Sequence, residues 1–265
     1  DTLLLRQWVG ETIRAPVACI AVCHDQWSAE NYYHWLIDTL PRLLVLRQTH
    51  PQVQLLLPQP LPPKRLPDYI TYTAQALGFT NYLPLTTRQI LHASCVVLPE
   101  LTAASLTQHP GLVRQVQAEL IAALQPSPVV GTRKVYAARA THGVRRIANE
   151  AAVDELLQAF GFEKIYFEKM SFLEQVQLMR ETKVFLGVHG AGMTNMLFLQ
   201  PDTAVIELLN EEHGDLCYFR LASCISLPYF WIPCAGTHQQ LANQSDIIVS
   251  AELLKQAVVA AIAQL

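Results

Sequence analysis

The chain has 265 residues, 51% of them hydrophobic, which suits two small packed domains and excludes a disordered composition. A formal net charge of −3 gives no basic excess for gripping nucleic-acid phosphates. Six cysteines with no C-x-x-C pair speak against a metal knuckle or a disulfide framework; they read as small core residues and scattered thiols of a reducing compartment.

The opening, DTLLLRQWVG, lacks the basic and long apolar regions of a secretory leader, although a leader already removed would leave such a start. No run approaches the ~18 consecutive apolar residues of a membrane helix. Strands are expected near 16–22, 53–57 and 94–98, with helices near 30–48, 65–77 and 110–125. In AENYYHWLIDTLPRLLVLRQ (29–48), Asn31, His34, Asp38 and Arg42 recur at three- and four-residue spacing and share one helix face. Tyr33, Ile37, Leu40 and Leu44 line another face that suits a core. A carboxylate four residues from an imidazole can orient and tune a base. The same spacing also describes a solvated helix face with an ordinary His–Asp pair. Pro41 removes a backbone bond and should kink or interrupt the helix. LLLPQPLPPKRLP reads as a loop. QPSPVVGTRK (125–134) is the best linker, dividing the chain into domains 1–127 and 128–265.

Alternation restarts after the linker. Strands are expected near 133–137, 163–167, 183–188, 203–208 and 228–232, and helices near 149–160, 171–181, 192–198 and 215–224. This is α/β with parallel sheets, in two Rossmann-like halves expected to face a central cleft. Arg139 stands at a strand's carboxyl end. Arg145 and Arg146 follow across a loop containing Gly143, and Asn149 opens a helix. Three forked guanidiniums there can neutralise a diphosphate, though an exposed basic loop would look the same. Ser171 and Glu174 spell a capping box.

The strongest local pattern is KVFLGVHGAGMTNMLFLQPDTAVIELL (183–209), a buried strand, a tight turn at Gly190, Ala191 and Gly192, and a short helix opened by Thr194 and Asn195. His189 lies in the turn, positioned for a phosphate or the sugar. Glu207, on the next strand, is placed for paired ribose hydroxyls. A purely structural strand–turn–helix would share this pattern. HGAG also occurs in esterase oxyanion loops, but the chain has no G-x-S-x-G nucleophile elbow. The final helix, 251–265, is too short to span a membrane and is expected to pack back on the first domain.

NYYHWLIDTLPRLLVL (31–46), ARATHGVRRIANE (138–150) and SFLEQVQLMRETKVFLGVHGAGMTNMLFLQPDTAVIEL (171–208) together resemble glycosyltransferase family 61, the group that includes capsular polysaccharide biosynthesis proteins. The resemblance implies a GT-B fold, an inverting reaction without an essential divalent metal, and nucleotide-sugar binding by the second domain. The sequence has no Asp-x-Asp triplet for a metal–diphosphate complex. Expected roles are Asp38 as base with His34 as its partner or substitute and His189 as the second candidate, and Asn31, Trp35 and Arg42 on the acceptor side. Arg139, Arg145, Arg146, Asn149, His189, Gly190, Ala191, Gly192, Thr194, Asn195 and Glu207 are expected on the donor side. No cofactor is expected beyond the co-substrate, a UDP-sugar, and the acceptor is a glycan or glycolipid. The expected location is the cytoplasm, with peripheral association at the inner membrane face as an option. A GT-B-type nucleotide-sugar epimerase and a non-catalytic nucleotide-binding subunit are the alternative readings.

Overall fold

Parallel strands need crossovers, and the helix-period segments between the apolar runs supply them. The computed structural model describes residues 10–25, 27, 28, 30–62, 64–104, 106–139, 144–237 and 242–264. The leader reading at 1–9 and the loop reading at Gly143 lie outside them. The chain divides into two compact units, Asp1–Ala104 with Ala118–Ala123 and Ser105–Gln117 with Leu124–Leu265.

The first unit contains β1 (Glu11–Arg14), β2 (Cys19–Ala21), a π-helical turn (His34–Thr39) continuing into α1 (Leu40–Thr49), β3 (Gln54–Gln59), α2 (Asp68–Ala76), β4 (Tyr82–Thr86), β5 (Gln89–His92) and β6 (Cys95–Val97). β4-β3-β2-β6 form a parallel sheet, and β1 pairs with β5. Strand order therefore reverses between β2 and β6. Pro41 does not break the helix. Just before it the ladder widens, with the Leu40 amide donating to the Trp35 carbonyl five residues back, and Pro41 sits in the first turn of α1 where no donor is required. Tyr33, Ile37, Leu40 and Leu44 are buried as expected. Cys19 and Cys95, register partners on β2 and β6, are joined as a disulfide, which corrects the reading of both as separate thiols. Cys23, Cys217, Cys224 and Cys234 are free and buried.

α3 (Pro110–Leu124) contributes residues to both units. The second unit continues with β7 (Arg133–Ala137), α4 (Glu150–Ala159), β8 (Phe162–Ile165), α5 (Phe172–Glu181), β9 (Thr182–Val188), a 3-10 helix (Ala191–Phe198), β10 (Ala204–Asn210), α6 (Cys217–Cys224), β11 (Tyr229–Gly236), β12 (Ile247–Ile248) and α7 (Ala251–Ala263). Its sheet runs β8-β7-β9-β10-β11-β12, parallel except for β12 against β11. β10 is buried throughout and β9 nearly so, as expected of central strands covered on both faces. The capping box forms: the Glu174 amide donates to Ser171 Oγ and the Ser171 amide to Glu174 Oε2. α7 buries Leu254, Val258 and Ala261 in the core of its own unit, beside Ile206 and Ile232.

Candidate functional site

In a doubly wound sheet two neighbouring strands whose crossovers leave in opposite directions splay a crevice at their carboxyl ends. In the second unit those strands are β7 and β9. β7 ends at Ala137, so Arg139 emerges beside the end of β9, where His189 and Gly190 follow Val188. Arg139 Nη1 donates to the Val144 carbonyl at 2.6 Å and Nη2 to the His189 carbonyl at 3.3 Å. A Cβ on Gly190 would lie 1.9 Å from Arg139 Nη2 and 3.6 Å from Arg145 Nη2, and Gly190 has φ +152°. Only glycine admits both that backbone and that guanidinium.

Neither Arg139 nor Arg145 makes an ion pair with a carboxylate among the described residues. Arg145 Nε is buried without a hydrogen-bond partner. Burial, then the Arg145 charge, pulls Arg139 down to about 10, so it stays charged at neutral pH while repelling its neighbour. Two partly desolvated, like-charged forks over bare backbone could hold an anion, which would relieve their repulsion and fill the empty donors. Arg139 and Val188 wall two cavities. One, of about 270 Å³, is bordered by Tyr136, Arg145, Glu150 and Tyr166. The other, of about 260 Å³, is bordered by Phe167, Glu168, Ala191 and Gly192.

His189 is braced on one side and faces a second carboxylate on the other. Its Nδ1 is 2.7 Å from Glu207 Oε1, and its Nε2 is 3.6 Å from Asp215 Oδ2. Its ring also packs against His213 and Tyr218. Burial favours the neutral ring, but Asp215 and Glu207 outweigh it and hold the imidazole above its ordinary pKa. Asp215, despite its burial, is held down to about 2 by His189 and the Cys217 amide. Among the described residues, His189, His213 and Asp215 bring one possible ligand atom each within 4.8 Å of the others. Arg145 bears on His213 and Arg139 bonds the His189 backbone carbonyl, so the trio lies beside the two guanidiniums.

Several expected donor-side residues have other partners. Glu207 is buried in β10; its second oxygen accepts from the Tyr229 hydroxyl, so the carboxylate reads as an internal brace for His189 rather than a ribose contact. Thr194 and Asn195 are fully buried, Asn195 donating to Gln175, so the 3-10 helix turns them into the core. The Arg146 guanidinium and amide both bind Asp246. Asn149 clamps Val249 through both ends of its amide. Ala191 and Gly192 line the second cavity.

In the first unit His34 Nδ1 lies 2.7 Å from Asp38 Oδ2, and both side chains are partly exposed. Asn31 caps the helix through the Tyr33 and His34 amides, at 2.9 and 3.5 Å. Trp35 is fully buried and donates to Thr73 Oγ1 at 2.8 Å, which corrects its acceptor-side reading. Arg42 is likewise structural: it bonds the Cys23 carbonyl and, through Nε at 2.9 Å, the Pro99 carbonyl. Sequence reasoning missed His24 and Asp25 beyond β2. Nδ1 of His24 is buried without a partner, and burial keeps the ring neutral. Burial works against the Asp25 carboxylate, but the Ser28 and Trp27 hydrogen bonds and nearby His34 keep its pKa low. It also missed His213, Asp215 and Tyr229; the rule that ligands gather at strand carboxyl ends, applied beyond β2 and β10, reaches all of these except Tyr229.

A family model described as Glycosyltransferase 61 matches residues 32–206 of the 265. The chain belongs to glycosyltransferase family 61. The matched region of this family 61 chain takes in the His34–Asp38 pair, Arg139, Arg145 and Gly190. The EGF domain-specific O-linked N-acetylglucosamine transferase of Mus musculus is 31% identical over 163 residues, 52% of this chain and 30% of that protein. The Drosophila melanogaster protein of the same name is 33% identical over 103 residues, 37% of this chain and 19% of its own. The family 61 chain thus spans about a third or less of the length of the curated relatives it matches. Among solved structures, E. coli heptosyltransferase WaaC with ADP aligns at a TM-score of 0.48 and 11% identity, covering 95% of this chain and 99% of that one.

Proposed function

We propose that this chain transfers a sugar from a nucleotide-sugar, with UDP-sugars the first donors to test, to a hydroxyl of a glycan or glycolipid. The reaction inverts the anomeric carbon and needs no essential divalent ion. It serves cell-surface or capsular polysaccharide synthesis. The observation that carries this reading is the Arg139–Arg145 pair, without carboxylate ion pairs among the described residues, over Gly190 at a strand switch point. The acceptor oxygen attacks the anomeric carbon as the bond to the diphosphate oxygen breaks, and that oxygen leaves with the electron pair toward the guanidiniums. Asp38 removes the acceptor proton, and His34 at 2.7 Å orients the carboxylate. Fixed arginine charge does the work a metal would do elsewhere, consistent with a sequence lacking Asp-x-Asp.

A thermal-shift screen of UDP-, GDP-, CMP- and dTDP-sugars with chelator present tests the reading, because a ligand at one hundred times its Kd stabilises the native state by about 2.7 kcal/mol. One nucleotide class should raise the melting temperature regardless of chelator. No shift with any of them would overturn the proposal.

A further inference from the structure

The buried brace behind His189 goes further than donor binding in general. We infer that Glu207 is a positioning residue that holds His189 in the orientation and charge state in which its Nε2–H donates a hydrogen bond to the nucleotide's diphosphate, beside Arg139 and Arg145. This rests on the donor reading above.

The geometry is specific. Glu207 sits on the central strand β10, buried, with Oε1 at 2.7 Å from His189 Nδ1 and its other oxygen on the Tyr229 hydroxyl. Burial and Glu207 itself push Tyr229 well up, so it remains a phenol and a donor. The carboxylate is therefore fixed by Tyr229 and can only accept from Nδ1–H. That leaves the opposite nitrogen, Nε2, as the working end of the ring. Nε2 faces Asp215 Oδ2 at 3.6 Å, too long for a hydrogen bond, so the donor there is only loosely held. A diphosphate oxygen arriving one residue along, at Gly190, can take it. No proton changes owner in this step; a hydrogen bond forms.

The groups at the His189 ring are Glu207 on β10, His213 and Asp215 in the following loop and Tyr218 on α6; Tyr229 on β11 stands behind Glu207, Arg139 bonds the His189 carbonyl, and Arg145 bears on His213. Both carboxylates favour the imidazolium and burial opposes it. The carboxylates prevail. The charged ring is thus present below its raised pKa, and diphosphate affinity should fall as pH rises through that value. Removing Glu207's charge should move the fall to lower pH.

UDP titration of the full chain by calorimetry, from acid to alkaline pH, with Glu207→Gln and Asp215→Asn alongside, tests this. UDP's own ionisation is common to all three proteins, so differences between profiles report the protein. Folding is checked by circular dichroism and by the affinity recovered at low pH. Glu207→Gln should bind about tenfold more weakly at neutral pH, approach wild type at acid pH, and show its midpoint shifted downward, with a smaller shift for Asp215→Asn. A folded Glu207→Gln with the wild-type profile, or with a loss equal at every pH, overturns the inference while wild-type binding upholds the donor site. No UDP binding by wild type at any pH overturns both.

Discussion

Arg42 and Arg139 each bridge the carboxyl ends of two parallel strands at the point where strand order reverses. Arg42 bonds the Cys23 carbonyl beyond β2 and the Pro99 carbonyl beyond β6, and nothing competes for it. Arg139 bonds two carbonyls too, Val144 and His189, but a second guanidinium crowds it and burial weakens it. The same residue at the same kind of place is a staple in one sheet and, in the proposed donor site, a receptor in the other. What differs is whether the protein itself satisfies the charge. An arginine whose donors meet well-placed carbonyls adds stability; a pair of arginines forced together over a glycine stores repulsion that a ligand can release.

The comparison can be broken by substitution. The largest effect falls on chemistry: Asp38→Asn should lower kcat by about 10²–10⁴ with donor affinity unchanged, in a transfer assay paired with calorimetry. Normal turnover would remove Asp38 as base. Arg42→Ala should cost about 3 kcal/mol in chemical denaturation, because two carbonyls lose their donor, and should leave donor affinity per folded molecule intact. Weakened donor binding in folded Arg42→Ala would erase the contrast between the two arginines. Gly190→Ala should weaken UDP binding about tenfold, since a methyl 1.9 Å from Arg139 Nη2 must displace the guanidinium. Arg146→Ala should change least, under about threefold in affinity and under about 1 kcal/mol in stability, since Asp246 already neutralises this exposed side chain.

Legibility in the sequence followed how local the signal was. β7 is found at 133–137, where apolar residues follow the proline-marked 125–134 segment, and the Gly190 turn is marked by small residues after a buried strand. β4 and β5 were missed because Pro84 and the polar flanks of QILH break any period. Arg139 and Arg145 are readable as a basic cluster. That Arg146 belongs to Asp246, one hundred residues on, is not, because nothing local records a distant partner. Glu207 shows the same limit. Its place at a strand's carboxyl edge suggested a ribose, whereas His189, eighteen residues earlier, and Tyr229, twenty-two later, occupy both its oxygens. Arg42 shares a helical stripe with His34 and Asp38, and Trp35 adjoins it, but helix periodicity does not reveal that Thr73 lies against Trp35 and Pro99 against Arg42.

The most direct measurement is calorimetric titration of UDP into the wild-type chain and Arg139→Ala, with the melting temperature of each taken without ligand. An Arg–phosphate contact of about 1.5–3 kcal/mol predicts affinity lower by about 10- to 100-fold. The unliganded melting temperature should be unchanged or higher, because the repulsion with Arg145 is gone. Equal affinity in the two proteins, or an Arg139→Ala chain that melts much earlier yet binds normally once folded, would contradict the account.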